Sequence, residues 1–204
     1  MIDELEVVHL APAAARGGYA IIAAPHPLYG GSLDNPVVEM LAKGFSAQGL
    51  GTVCFNYRGV GQSRGEVSGD IERAAEDYAQ VLAWLRSTPT GQEAQLYLAG
   101  YSFGAIAAIV CGRAQRAAGA PSPAALALVA PPLRMLTEVS LADITAPSFV
   151  LMGQSDDYLP LDTARAYFAR IPRCTVTENE ADHFFAYELD EVAAFARAVA
   201  QRQL

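Results

Sequence analysis

The chain has 204 residues, 52% hydrophobic and 18% charged, a length that suits a single domain over 1–204 and an apolar content that excludes intrinsic disorder. Against 14 basic side chains stand 22 acidic ones, a net charge of −8 that repels polyphosphate, so no nucleic-acid partner is expected. The longest apolar runs fall far short of the roughly 20 residues a membrane span needs, and the start, Met1-Ile2-Asp3-Glu4, carries acids where a signal peptide needs bases.

Short runs rich in Val, Ile, Leu and Tyr alternate with longer segments of helical period, the pattern of a parallel sheet covered on both faces. Residues 5–10 read as a first strand and 19–24 as a second. Asn35-Pro36 gives an N-cap followed by proline at the first helical position. That helix turns Val37, Val38, Met40, Leu41 and Phe45 inward and stops near Gly49. A strand at 52–55 leads into a glycine-rich loop over 56–69, and Asp70 can cap the next helix. Its Ile71, Ala74, Ala75, Tyr78, Val81, Leu82 and Leu85 keep the three-and-four spacing of one buried face. Then follow a strand at 95–99, a helix at 103–116 and strands at 125–129 and 147–152. A helix at 162–170, for which Asp162 is the expected cap, a strand at 174–177 and an amphipathic helix at 187–203 complete the chain. The expected fold is α/β, a doubly wound, mostly parallel sheet of about seven strands with helices on both faces. Three cysteines, an odd count without metal-type spacing, read as buried thiols of a reducing compartment, and a cytoplasmic location is expected.

Ligands of open parallel sheets gather beyond the carboxyl ends of the strands. After 95–99 stands Gly100-Tyr101-Ser102-Phe103-Gly104, a G-x-S-x-G between strand and helix. A sharp turn there lifts the serine above the sheet edge, with glycines where the chain packs too closely for side chains. The pattern alone is weak, because Gly61-Gln62-Ser63-Arg64-Gly65 fits it too. No helix follows that second match, which makes Ser63 a loop hydroxyl and Ser102 the candidate nucleophile. Gly59-x-Gly61 hints at a dinucleotide loop, but Arg64 replaces its third glycine, and no nucleotide is expected.

A serine hydroxyl attacks poorly without a base. Of His9, His26 and His183, the last lies between the final strand and the final helix, on the same edge as Ser102, and is the expected base. A base needs an acid to fix its tautomer. After 147–152, the turn Gly153-Gln154-Ser155-Asp156-Asp157 offers two aspartates, nearly even on sequence alone. Asp182 adjoins the histidine and is expected to point elsewhere. The order is Ser, Asp, His, as a serine-elbow fold requires.

On these residues the chain resembles the α/β-hydrolases from Tyr19 onward, and more narrowly the small lidless bacterial serine hydrolases. Their H-P-H-P-L-x-G-G-like segment stands here as Ala24-Pro25-His26-Pro27-Leu28-Tyr29-Gly30-Gly31. R-G-x-G-x-S matches Arg58-Gly59-Val60-Gly61-Gln62-Ser63. G-x-x-D-x-x-V-P matches Gly153, Asp156 and Pro160, with Leu159 for valine, and D-H-F-F matches Asp182-His183-Phe184-Phe185. The resemblance implies Asp156 as the acid, and Ser102 sets the chain apart from members with cysteine at the elbow. It implies a serine hydrolase that cleaves a small or medium ester or thioester through an acyl-enzyme on Ser102. A small-molecule acyl substrate is its expected partner, with neither metal nor organic cofactor and no membrane. The alternatives are an amide- or peptide-directed serine hydrolase and a catalytically silent binding protein of the same fold.

With that match, one oxyanion donor is expected to be the Phe103 N–H and the other to come from the turn after 19–24. Pro25 and Pro27 have no N–H, which leaves Leu28 first and Tyr29 second, with His26 bracing the turn. Tyr29, Phe103, Tyr158, Phe184 and Phe185 flank these turns, and Tyr29, Tyr158 and Phe184 are the candidate pocket residues. After 125–129 only about 16 residues, from 130 to 145, separate that strand from the next. That is too few for a cap domain, so the site is expected to be shallow and open.

Overall fold

A computed structural model describes residues 2, 4–11, 17–136 and 144–202. Among them, seven strands share one sheet: β1 (Val7–Leu10), β2 (Gly18–Ala23), β3 (Gly51–Phe55), β4 (Gln95–Tyr101), β5 (Ala125–Val129), β6 (Ser148–Gly153) and β7 (Cys174–Asn179). Their spatial order is β1-β3-β2-β4-β5-β6-β7. β1 runs antiparallel to β3, and every other pair is parallel. The helices are α1 (Pro36–Ser46), α2 (Ile71–Ser87), α3 (Phe103–Ala117), α4 (Leu133–Leu136), α5 (Leu161–Phe168) and α6 (Leu189–Arg202). None is long and apolar enough to cross a membrane.

The inner strands are apolar at nearly every position because both of their faces are buried. Ile21, Val53, Leu98, Leu128 and Val150 point toward α2, α3 and α5. Their neighbours Ile22, Cys54, Tyr97, Ala127 and Leu151 point toward α1 and α6. Each fully buried aliphatic chain contributes about 1.5–3 kcal/mol. Gly44 lets α1 and α6 meet closely, since a Cβ there would stand 2.6 Å from the Ala196 methyl.

The caps read from sequence form where the side chains dictate. Asn35 Oδ1 accepts from Val37 N–H at 2.9 Å, and Asp70 Oδ1 accepts from Glu72 and Arg73 N–H at 2.9 and 3.0 Å. Asp162 does not cap α5. The helix already begins at Leu161, so Pro160, with ψ 120°, takes the cap position and its carbonyl accepts from Ala164 N–H at 2.9 Å. Asp162 lies in the first turn and pairs with Arg165 at 3.1 Å. β1 starts at Val7 rather than residue 5, because Leu5 is tied into a bridge with Ile2. Cys174 is half-buried, unlike buried Cys54 and Cys111, because β7 is an edge strand. A short 3-10 turn, Pro27–Tyr29, and α4 were not anticipated from the sequence. Met1 and Asp3 of the acidic start and residues 137–143 of the 130–145 connection lie outside the described residues.

Chain order reverses between β2 and β4, which are neighbours although β3 separates them in sequence. Open α/β sheets form their crevice at such a point. The turn after β2 and the turn after β4 face each other there.

Candidate active site

Ser102 follows β4 directly and precedes α3, with φ 54° and ψ −119°. A positive φ at a residue with a Cβ costs on the order of 1–3 kcal/mol, so the surroundings must enforce it. They do so from three sides. The Ser102 N–H donates to the Val129 carbonyl at 2.8 Å, carrying the β4–β5 ladder up to the serine. A Cβ on Gly100 would stand 2.7 Å from the Ala105 nitrogen. One on Gly104 would stand 2.5 Å from the Ala24 carbonyl oxygen and closer still to that of Ala23. Both glycines of the motif are therefore dictated by contact, and the serine is pressed up into the crevice.

His183 and Asp156 reach the same point. Ser102 Oγ lies 3.0 Å from His183 Nε2, and His183 Nδ1 lies 2.8 Å from Asp156 Oδ2. The other Asp156 oxygen accepts from the Tyr158 and Leu159 N–H groups at 2.8 and 3.1 Å. A carboxylate facing Nδ1 requires the proton there, which leaves Nε2 free to accept from the serine hydroxyl. Asp157, the sequence alternative, is exposed and stands outside this relay. Gly153 allows the close approach: a Cβ on it would come within 2.8 Å of the Asp182 carbonyl oxygen. The acid turn and the base loop are also joined main chain to main chain, Gln154 N–H to Asn179 O at 2.8 Å and Ser155 N–H to Ala181 O at 3.0 Å. Asp182 Oδ1 accepts from the Phe184 and Phe185 N–H groups at 2.8 and 3.0 Å, which shapes the loop rather than touching the imidazole. Phe185 is fully buried and anchors it. Tyr101, given no role in the sequence reading, donates its hydroxyl to the His183 carbonyl at 3.0 Å. Its place as the first x of G-x-S-x-G carried no signal for that reach.

Across the crevice, His26 caps the 3-10 turn, its Nδ1 accepting from Leu28 N–H at 3.2 Å. The ring packs against Phe103 and Tyr29, both with centroids 4.6 Å away, and a Cβ on Gly69 would stand 2.8 Å from its Cε1. Burial pushes the His26 pKa below its ordinary value, which keeps Nδ1 an acceptor. Tyr29 N–H is taken by the His26 carbonyl at 3.1 Å. The Phe103 N–H heads α3 and has no place in the helical ladder.

The second G-x-S-x-G has a different role. Ser63 is buried, accepts from Glu6 N–H at 2.8 Å and donates to the Asn56 carbonyl at 2.9 Å. Glu6 Oε2 accepts from Asn56 Nδ2 and Gln62 N–H at 2.8 and 2.7 Å, and these two bonds hold its carboxyl below the usual range. Asn56 Oδ1 accepts from Leu33 N–H at 2.7 Å, tying this knot to the segment after β2. Arg58 closes the loop against buried Asp77, Nε to Oδ1 at 2.7 Å and N–H to Oδ2 at 2.9 Å. The sequence reading missed Asp77, which sits on the buried face of α2 among apolar neighbours.

Tyr29, Tyr158 and Phe184 stand 87%, 58% and 61% exposed around the crevice, whereas Phe103 and Phe185 are core. The thiols of Cys54 and Cys111 are far from reactive, pushed up to about 12 by burial.

Known proteins resemble this chain in sequence and in fold. A family model described as serine aminopeptidase, S33, matches residues 36–143. An uncharacterized protein of Rickettsia prowazekii is 28% identical over 190 residues, 88% of this chain and 76% of that protein. An α/β serine hydrolase homologue from Coxiella burnetii is 32% identical with a TM-score of 0.84, covering 95% of this chain and 90% of its own. A lidless α/β serine hydrolase from Xanthomonas campestris is 28% identical with a TM-score of 0.82, covering 98% and 89%.

Proposed function

Since this chain belongs to the α/β-hydrolase family described as serine aminopeptidase, S33, we propose that it cleaves small or medium carboxylic esters or thioesters through an acyl-enzyme on Ser102. The observation that carries this reading is the unbroken relay from Ser102 Oγ to His183 Nε2, 3.0 Å, and from His183 Nδ1 to Asp156 Oδ2, 2.8 Å. As Oγ bonds to the substrate carbonyl carbon, its proton passes to Nε2, and Asp156 stabilises the imidazolium that forms. The imidazolium then protonates the leaving oxygen or sulfur as the old acyl bond breaks. Water repeats the sequence on the acyl-enzyme, giving up its proton to His183 and returning the hydroxyl to Ser102.

Phe103 N–H and Leu28 N–H are the proposed oxyanion donors. Leu28 N–H rests on the His26 nitrogen at 3.2 Å, a long bond to a neutral acceptor. A negatively charged oxygen accepts roughly twice as strongly, so the amide turns to it as charge develops. That interaction is made in the transition state and not before, the condition for lowering the barrier. Exposed Tyr29, Tyr158 and Phe184 are the proposed contacts for the acyl or alcohol part, with a small-molecule acyl compound as substrate. Three free thiols fit a cytoplasmic setting.

The matched family's description favours a second reading, cleavage of an amide at a peptide end. Turnover of p-nitrophenyl butyrate and of amino-acid p-nitroanilides separates the two. The ester is expected to be cleaved, with Ser102→Ala lowering kcat by up to ~10⁶ and a fluorophosphonate labelling Ser102 in the parent. Anilide cleavage without ester cleavage favours the second reading, and a parent that takes no fluorophosphonate at Ser102 overturns both.

A further inference from the structure

We propose that Tyr101 is a positioning residue for this reaction, its hydroxyl setting through the main chain where the His183 imidazole stands over Ser102. The inference rests on the reading of Ser102 as nucleophile. Tyr101 ends β4 and immediately precedes that serine. Its side chain is 3% exposed, and its hydroxyl donates to the His183 carbonyl at 3.0 Å across 82 positions of chain. Its ring lies 5.7 Å from the imidazole, tilted by 37°. Elsewhere the base loop is fixed on either side of His183: Ala181 O accepts from Ser155 N–H, and the Phe184 and Phe185 N–H groups are held by Asp182. At His183 itself, the bond from Tyr101 holds the main chain. The residue that carries the nucleophile's turn thus also grips the residue that carries the base.

Ordinary packing of a tyrosine does not account for the bond. Alternation along β4 places Tyr97 on the same face as Tyr101, and the Tyr97 hydroxyl is buried with no partner among the described residues. This face accommodates an unpaired tyrosine hydroxyl, yet the one beside Ser102 is aimed at the base. Burial first, and then the carboxylates of Asp156 and Asp182, push the Tyr101 phenol far up, so it stays protonated and remains a donor wherever the enzyme works. Proton transfer between Ser102 and His183 depends on a separation of 3.0 Å, and displacements on the order of 1 Å at a reacting pair cost up to ~10²-fold in rate.

The test compares the parent with Tyr101→Phe and Tyr97→Phe. Competent sites are counted by stoichiometric titration with a fluorophosphonate, and kcat and KM for p-nitrophenyl butyrate are expressed per titrated site, so that misfolded protein does not enter. Tyr101→Phe is expected to lower kcat per site about tenfold with KM within twofold, while Tyr97→Phe matches the parent. Parental kcat per site in Tyr101→Phe, a change confined to KM, or an equal loss in Tyr97→Phe overturns the proposal. Tyr101→Met, which deletes the same hydroxyl, is read in the same way should Tyr101→Phe not fold. A parent that titrates and turns over normally keeps the serine-hydrolase reading intact whatever Tyr101 does. A parent with no titratable Ser102 removes the reading and the proposal together.

Discussion

Replacing Gly104 by alanine would put a methyl carbon 2.5 Å from the Ala24 carbonyl oxygen and closer still to that of Ala23. Carbon and carbonyl oxygen settle at roughly 3.3 Å or more, so the head of α3 must retreat from the end of β2 by about 1 Å. Both obstacles are main-chain atoms, one at the end of central strand β2 and one just after it, and neither can swing aside as a side chain would. The retreat costs stability on the scale of an overpacked core, about 1–3 kcal/mol, or a Tm lower by roughly 2–12 °C for a domain of this size. It also carries Ser102 and the Phe103 N–H away from the Leu28 turn, widening the gap between the two proposed oxyanion donors. A displacement of this order at the reacting atoms lowers kcat by up to ~10². Thermal unfolding together with kcat per phosphonate-titrated site checks both halves. A Gly104→Ala protein with a lowered Tm but parental kcat and KM would refute the claim that this contact sets the geometry of attack.

Ser63→Ala separates the two serine motifs. It strips partners from the Glu6 N–H and the Asn56 carbonyl, and it should cost about 2–4 kcal/mol while leaving kcat per titrated site near parental. Loss of turnover without loss of stability would reverse the roles of the two serines. His26 carries a pH dependence. Its folded pKa lies below the ordinary 6.5, so below that value the unfolded chain binds more protons than the folded one. The stability tied to its neutral form is intact above pH 6.5 and is lost as pH falls through the window beneath. His26→Asn can cap the Leu28 N–H without titrating. Its unfolding free energy should change less than the parent's between about pH 7.5 and 5.5, and parallel slopes would refute the assignment.

Much of this was legible because local chemistry dictated it. Asn35 and Asp70 are oxygen-bearing residues placed directly before periodic apolar runs, and such residues cap helices wherever they occur. Strands β2 to β6 read as largely apolar runs because every position on them except Gln95, at the start of β4, is buried. Ser102 was legible because its glycines answer to two close main-chain contacts, and His183 because the sheet edge left it one place to go. Other features depend on partners distant in the chain, which periodicity does not encode. Asp77 looks like a misplaced acid on an apolar face until Arg58 arrives from the preceding loop. Asp156 and Asp157 differ by which way one turn faces, and the resemblance to lidless hydrolases, not spacing, separated them. Asp162 misled because an acid near a helix start is a cap signal, and nothing local revealed that Pro160 already stood in the cap position. The hydroxyl of Tyr101 gave no sign of its distant acceptor.

The join between the β6 turn and the β7 loop, secured by Gln154, Ser155 and the bare Cα of Gly153, makes one unit of the segments that carry Asp156 and His183, so the proposed catalytic apparatus falls into two blocks of sequence. Ser102 and the two proposed oxyanion donors, Leu28 and Phe103, are encoded before the segment linking β5 to β6, and Asp156 and His183, the proposed proton relay, after it. That segment lies between the two blocks in the chain and belongs to neither.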